Sequence, residues 1–265
     1  MPTKPRLLIG CSGSVASVKI PDLVSELSDR FDVLVVATKN SLHFLSKSKE
    51  YNPEAWDRFE KVGGNSLVLV DEDEWRSWNK LGDPVVHIEL RKWADILLIA
   101  PASANLIASA SIGSCDNLLL SVIRAWDFNK PCILCPAMNT VMWDHPATET
   151  ALSILRGWGW RIVGPVEKLL ACNERGNGAM SSVSDIARYL QELEVLIDRS
   201  QDTGDGIKQM LSKRCFKCES EVQDKCLRRS NWSSNKSYNW SKIAMYVSLG
   251  IIVGVSLEAV IRRKG

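Results

Sequence analysis

The stretch RLLIGCSGSVA, residues 6–16, sets the terms for the whole chain. Residues 6–10 have the length and apolar character of a buried strand, and Cys11, Ser12, Gly13 and Ser14 lead into a helical pattern. A strand that passes through small residues into a helix lets the backbone approach a ligand closely. The free N–H groups and the dipole at the helix start then favour an anion. The pattern matches neither the dinucleotide fingerprint nor the P-loop, which ends in Gly-Lys-Ser/Thr. Taken alone, a tight strand–helix turn and a phosphate site fit it equally well.

Further apolar runs follow at 32–37, 66–70, 96–100, 132–135 and 161–164, and each but the 66–70 run is soon followed by a helical pattern. Strands alternating with helices specify an α/β fold, a parallel sheet covered on both faces. Ligands of such sheets sit beyond the carboxyl ends of the strands, where the unusual loops of this chain fall. With 265 residues, a net charge of +2 and 45% hydrophobic content, the chain fits one α/β domain with an appendage, or two small domains. Near-neutral charge gives no electrostatic footprint for nucleic acid, so none is expected as a partner. The eight cysteines form no repeating framework and no apolar signal follows Met1. Reduced thiols and a cytoplasmic catalytic domain are therefore expected.

Three segments are expected. Residues 1–196 form the α/β domain, and residues 197–242, polar and rich in Lys and Arg, read as a disordered linker. Residues 243–261 carry one charge, Glu258, precede a basic end, and contain the GxxxG pair Gly250 and Gly254. That composition reads as a C-terminal transmembrane anchor to an intracellular membrane; the alternative is a buried amphipathic helix. Cys215, Cys218 and Cys226 lack a fourth ligand, so no metal site is expected. The sequons at Asn231, Asn235 and Asn239 would stay cytosolic beside such an anchor and carry no glycans. Cys132 and Cys135 are spaced as a CxxC, but on a strand they point to opposite faces and read as core.

The remaining loops carry the chemistry. The 32–37 run ends in Thr38-Lys39-Asn40-Ser41, a second set of hydroxyls and amides at a helix start, and two such loops side by side favour a mononucleotide phosphate. The next leads into Ala100-Pro101-Ala102-Ser103-Ala104-Asn105, where Ser103 and Asn105 either cap a helix or address the polar edge of a planar ring. After residues 132–135 comes PAMNTVMW, residues 136–143, in which Asn139 is out of place for plain packing, whereas Met142 and Trp143 read as packing. His87 is either structural or the best acid–base candidate of the three histidines. Cys172 lies in a loop with charges and two glycines that reads as a mobile lid; it is either a proton donor or a surface thiol.

Together GCSGSVA, DEDEWRSWNKLGDPVVHIELRKWAD, APASAN, CDNLL, RAWD, PAMNTVMW and LACNERGNGAM occur in that order over residues 7–190. This set resembles the flavin-dependent cysteine decarboxylases and, within them, the eukaryotic phosphopantothenoylcysteine decarboxylases in their plant form. The resemblance implies a flavodoxin-like (Rossmann-type) fold, a homotrimer, and FMN at the subunit interface. It puts the FMN phosphate on Gly13, Ser14 and Val15 near Thr38 and Ser41, and the flavin against Ser103, Ala104, Asn105, Ala137 and Met138. The substrate it implies is 4'-phosphopantothenoylcysteine and the product 4'-phosphopantetheine, on the route to coenzyme A. In that family the flavin oxidises the substrate's cysteine end to a thioaldehyde, which accepts the electrons released as carbon dioxide leaves and becomes an enethiol. The reduced flavin then returns its hydride. By the same resemblance His87 is the base, Asn139 holds the substrate carboxylate, and Cys172 donates the last proton. Ala171 and Met180 contact substrate, Met180 by closing the lid.

The sequence departs from the family at three places: Leu106 where relatives commonly have Thr, Leu169 where they have a basic residue, and Asn173 where they have Gly. These departures are expected to remove a hydroxyl near the flavin, remove a substrate contact and alter the lid turn. The rival reading is a binding protein, since fungal relatives of this fold serve as inhibitory subunits of a protein phosphatase. A third is a decarboxylase of peptide C-terminal cysteines. Retention of His87, Asn139 and Cys172 together favours the enzyme.

Overall fold

The computed structural model describes residues 4–170 and 175–194. Its centre is a parallel sheet whose strands are β1 (Arg6–Cys11), β2 (Asp32–Ala37), β3 (Val68–Leu69), β4 (Ile96–Ala102), β5 (Cys132–Pro136) and β6 (Arg161–Ile162). The spatial order is β3-β2-β1-β4-β5-β6. This is a doubly wound sheet with its switch point between β1 and β4, so a crevice opens there at the carboxyl ends. Every strand is parallel to its neighbour, with Leu8 opposite Leu34 on one side and Leu97 on the other.

Side-chain alternation divides the core between two faces. Leu8, Leu34, Leu97, Ile99 and Leu134 belong to one apolar cluster; Leu7, Ile9, Val35, Leu98 and Ile133 belong to the other. The first is covered by α6 (Val86–Trp93), α7 (Ala104–Ser111), α8 (Leu118–Arg124) and α10 (Pro146–Gly157). The second is covered by α1 (Ile20–Leu27), α4 (Pro53–Val62) and α11 (Val183–Glu194). Each fully buried leucine of this kind contributes about 1.5–3 kcal/mol relative to exposure. Two short helices, α2 (Lys39–Leu45) and α3 (Ser48–Tyr51), follow β2, and α5 (Asp71–Ser77) follows β3. Gly10 lets the layers close, because a Cβ there would lie 2.6 Å from both Ile99 and Leu119.

All six apolar runs become strands; the 32–37 run keeps its bounds and the others change in length. Only Val68 and Leu69 of the third run pair, because the Val70 N–H turns to the Asp73 carboxylate at 2.8 Å and starts α5. The 96–100 run extends through Pro101 to Ala102, and the sixth run shrinks to Arg161 and Ile162. Cys132 and Cys135 sit in opposite clusters, and burial pushes each thiol up to about 12.

The 168–180 loop contains an element the sequence pattern does not announce. Strands β7 (Val166–Leu169) and β8 (Arg175–Ala179) form an antiparallel ribbon outside the main sheet. The transmembrane assignment is withdrawn: no helix among the described residues is long and apolar enough to cross a membrane, and residues 243–261 lie outside them. The expected linker 197–242, with its cysteines and sequons, lies outside them as well.

Candidate functional site

The site is built on four loops that leave the neighbouring strands β2, β1, β4 and β5 at one end of the sheet. Ser12, almost fully buried, joins two of them. Its N–H and Oγ both donate to the Pro101 carbonyl, at 3.2 and 2.8 Å, and its Oγ accepts the Ser103 N–H at 2.8 Å. The Thr38 N–H donates to the Cys11 carbonyl at 2.9 Å and brings in the loop after β2. Gly13 lies against α2 so closely that a Cβ would be 2.8 Å from that of Asn40. Ser14 caps the short 3-10 turn Val15–Lys19, its Oγ accepting the Ala16 N–H at 3.4 Å.

This corner has an unmet polar group. Thr38 Oγ1 is buried and has no hydrogen-bond partner. Leaving such a hydroxyl unpaired costs about 1–3 kcal/mol, which a ligand oxygen reaching it would recover. The Ser41 hydroxyl instead donates to the Thr38 carbonyl at 2.7 Å, so it seats the loop. Nearby, burial first and then the Lys168 charge pull the Lys19 ammonium below its ordinary value; an anion would relieve both. A phosphate-bearing group fits these residues.

Where β4 and β5 end, Ala102 and Pro136 stand side by side. The Ala137 N–H donates to the Ala102 carbonyl at 2.9 Å, tying the two loops together. Ser103 caps α7, its Oγ accepting the Leu106 N–H at 3.3 Å, so the capping alternative holds for it; Asn105 is exposed. Ala137 is buried and Met138 half-buried. Leu106 points into the first core cluster, which makes that departure a core substitution.

Asn139 caps α9 (Thr140–Trp143), its Oδ1 accepting the Val141 N–H at 2.8 Å. That bond fixes the orientation of the amide, with its oxygen turned to the Val141 N–H and its NH2 group on the other side. The β ribbon braces the loop: the Met138 N–H donates to the Gly178 carbonyl at 2.9 Å. Gly178 has φ +142°, and any side chain there would run into the Met138 carbonyl. Trp143 packs on the first cluster as expected, but Met142 is 50% exposed and is not packing.

His87 stands in the first turn of α6, held from α5. Its Nδ1 lies 2.7 Å from Glu74 Oε1, and its backbone N–H donates to Glu74 Oε2 at 3.1 Å. At the start of α5, Asp71 accepts the Leu118 N–H at 2.9 Å, which fixes α5 against α8; burial raises its carboxyl and that N–H opposes the rise. His87 and Asn139 are thus held by separate elements.

Two expected residues, Ala171 and Cys172, lie outside the described residues, as does Asn173. Met180, expected to close over substrate, is 4% exposed in the second core cluster beside Ile186, Ala187 and Leu190. Its apolar side chain is part of that core. Leu169 is 63% exposed at the end of β7. Glu74 and Gly178 escaped the sequence reading, as did the bridging role of Ser12 within the first loop; the acidic run at 71–74 was the available signal for Glu74. A shallow depression of about 490 Å³ lined by Lys4, Asp29, Phe31 and Trp93 lies at the amino ends of the strands, away from these loops.

Comparison with known proteins places this geometry in context. A family described as Flavoprotein matches residues 1–194. A probable phosphopantothenoylcysteine decarboxylase of Arabidopsis thaliana is 48% identical over 181 residues, covering 68% of this chain and 84% of that protein. A solved structure of a PPC decarboxylase mutant complexed with pantothenoylaminoethenethiol is similar at 45% identity and TM-score 0.64, over 72% of this chain and 98% of that one. The FMN binding protein AtHal3 is similar at 44% identity and TM-score 0.63, over 74% of this chain and 100% of that one.

Proposed function

The chain belongs to the flavoprotein family, and on that premise we propose that it decarboxylates 4'-phosphopantothenoylcysteine to 4'-phosphopantetheine with FMN, a step of coenzyme A synthesis. The FMN phosphate would be held by Gly13, Ser14 and Val15 with Thr38, beside a loop seated by Ser41, and its ring by Ser103, Ala104, Asn105, Ala137 and Met138. When bound, FMN supplies a reversible two-electron oxidation that provides a sink for the electrons of the breaking C–C bond.

The chain's own residues divide the rest. His87 takes a proton at Nε2, since its Nδ1 faces Glu74. Asn139 donates from its NH2 end to the substrate carboxylate. A neutral amide suits a carboxylate that must leave as neutral carbon dioxide, because a full cation there would stabilise the starting charge more than the transition state. Cys172 would give the proton that ends on carbon, so that one C–C bond breaks, one C–H bond forms and one proton is consumed overall. Ala171 would stand beside it at the substrate. The assembly in this reading is a homotrimer. Exposed Val15, Val141 and Met142 beside the loops favour burial against a second copy.

The observation that carries the reading is the convergence of the Gly13, Thr38, Ser103 and Met138 loops with an unpartnered buried hydroxyl at Thr38. The test is incubation of the purified flavin-loaded chain with 4'-phosphopantothenoylcysteine and mass analysis of the product. Formation of 4'-phosphopantetheine supports the reading; unchanged substrate in the presence of bound FMN overturns it. The same preparation should sediment at the mass of three chains, and a monomer would remove the trimer.

A further inference from the structure

We propose that Glu74 is a positioning residue that fixes the tautomer and aim of His87, an inference that rests on His87 being the base. The two carboxylate oxygens meet two different groups of one residue: Oε1 the ring Nδ1 at 2.7 Å, Oε2 the backbone N–H at 3.1 Å. The backbone N–H can only donate, which fixes Oε2 as its acceptor. An ionised carboxylate can only accept, so Nδ1 must carry the ring proton. In the neutral ring the lone pair is then on Nε2, which is the atom left to act as a base. Both side chains are partly shielded, at 27% and 17% exposure, which preserves much of the attraction.

Glu74 also satisfies a helix start. Val85, at the N-cap of α6, makes no side-chain cap bond, and the His87 N–H would otherwise be one of the open donors of the first turn. A plain structural role as a borrowed cap is therefore the rival explanation. Glu74→Gln separates the two. Its amide oxygen can still accept the backbone N–H and keep the cap. Its NH2 group then faces Nδ1, which must become an acceptor, so the ring proton moves to Nε2. The reverse orientation would set two N–H donors against each other.

The experiment uses the full flavin-loaded chain with 15N-labelled histidine. Two-bond proton–nitrogen correlation should show His87 protonated at Nδ1 in the wild type and at Nε2 in Glu74→Gln. The kcat of Glu74→Gln should fall about 100-fold, with KM within about twofold and FMN still bound, in line with loss of general-base catalysis. A wild-type tautomer with the proton on Nε2 overturns the proposal without recourse to any variant. So does a Glu74→Gln protein with wild-type kcat, which would leave Glu74 as a cap only. His87→Asn keeps the two failures apart. If it still releases carbon dioxide, the base assignment itself falls; if it is inactive while Glu74→Gln is unaffected, only the positioning role falls.

Discussion

His87 and Asn139 occupy matching positions, each at the start of a helix, and they are held in different ways. His87 is aimed by a carboxylate 13 residues earlier in the chain, reaching across from another helix. Asn139 is aimed by backbone: its own cap to Val141, and a ribbon whose Gly178 carbonyl grips the residue before it. A charged side chain can set a proton's location but is sensitive to one atom changed at its tip. A backbone clamp sets position only, and tolerates side-chain change until something forces the chains apart. In the proposed reaction His87 would need its proton on a chosen nitrogen, and it has the first kind of support. Asn139 would only have to point, and it has the second.

The largest test of this contrast is Asn139→Asp. Aspartate is as good a cap, so α9 should persist, yet in the proposed reaction the new charge would face the substrate carboxylate. Like charges at close range should lower kcat/KM by about 100-fold or more, with thermal stability and FMN content unchanged. Steady-state kinetics beside a melting curve would decide, and unchanged kcat/KM would mean that the amide does not meet the carboxylate. Next comes Gly178→Ala, where the methyl must displace the Met138 carbonyl at a φ that alanine rarely adopts. A loss of about 2 kcal/mol in chemical denaturation is expected, with weakened activity. Wild-type stability would show the brace to be slack. The smallest effect belongs to Thr38→Val. Removing the unpartnered hydroxyl should leave the FMN-free chain as stable or more so, and weaken FMN binding about tenfold by fluorescence titration. Equal FMN affinity would show that Thr38 does not touch the ligand.

What the sequence reveals and conceals follows from the same physics. Strands such as Asp32–Ala37 are legible because each is a buried apolar run bounded by turn residues, and burial on both faces leaves little room for another reading. Gly13, Ser14, Thr38 and Ser103 are legible as small and hydroxyl residues at strand ends, and the fold gathers them at one edge. The β ribbon is not legible. Val166–Leu169 is exposed throughout, so no alternation betrays it, and its pairing rests on backbone hydrogen bonds. Glu74 is hidden for a different reason: its bond to His87 spans a turn between two helices, and no periodicity encodes that spacing. Met142 looked like packing because it is apolar, but its neighbours in space, unlike those in sequence, leave it half exposed.

Ser12 has a consequence for how the chain comes to be. Its partners Pro101 and Ser103 lie 89 and 91 residues further along. While the polypeptide is being synthesised, the first loop therefore waits for β4 to emerge, although its own strand and helix are already present. Contacts of such separation form late and slowly. The first loop is locked only once residues 101 and 103 have been made, and a nascent chain halted before β4 would carry the motif without its brace.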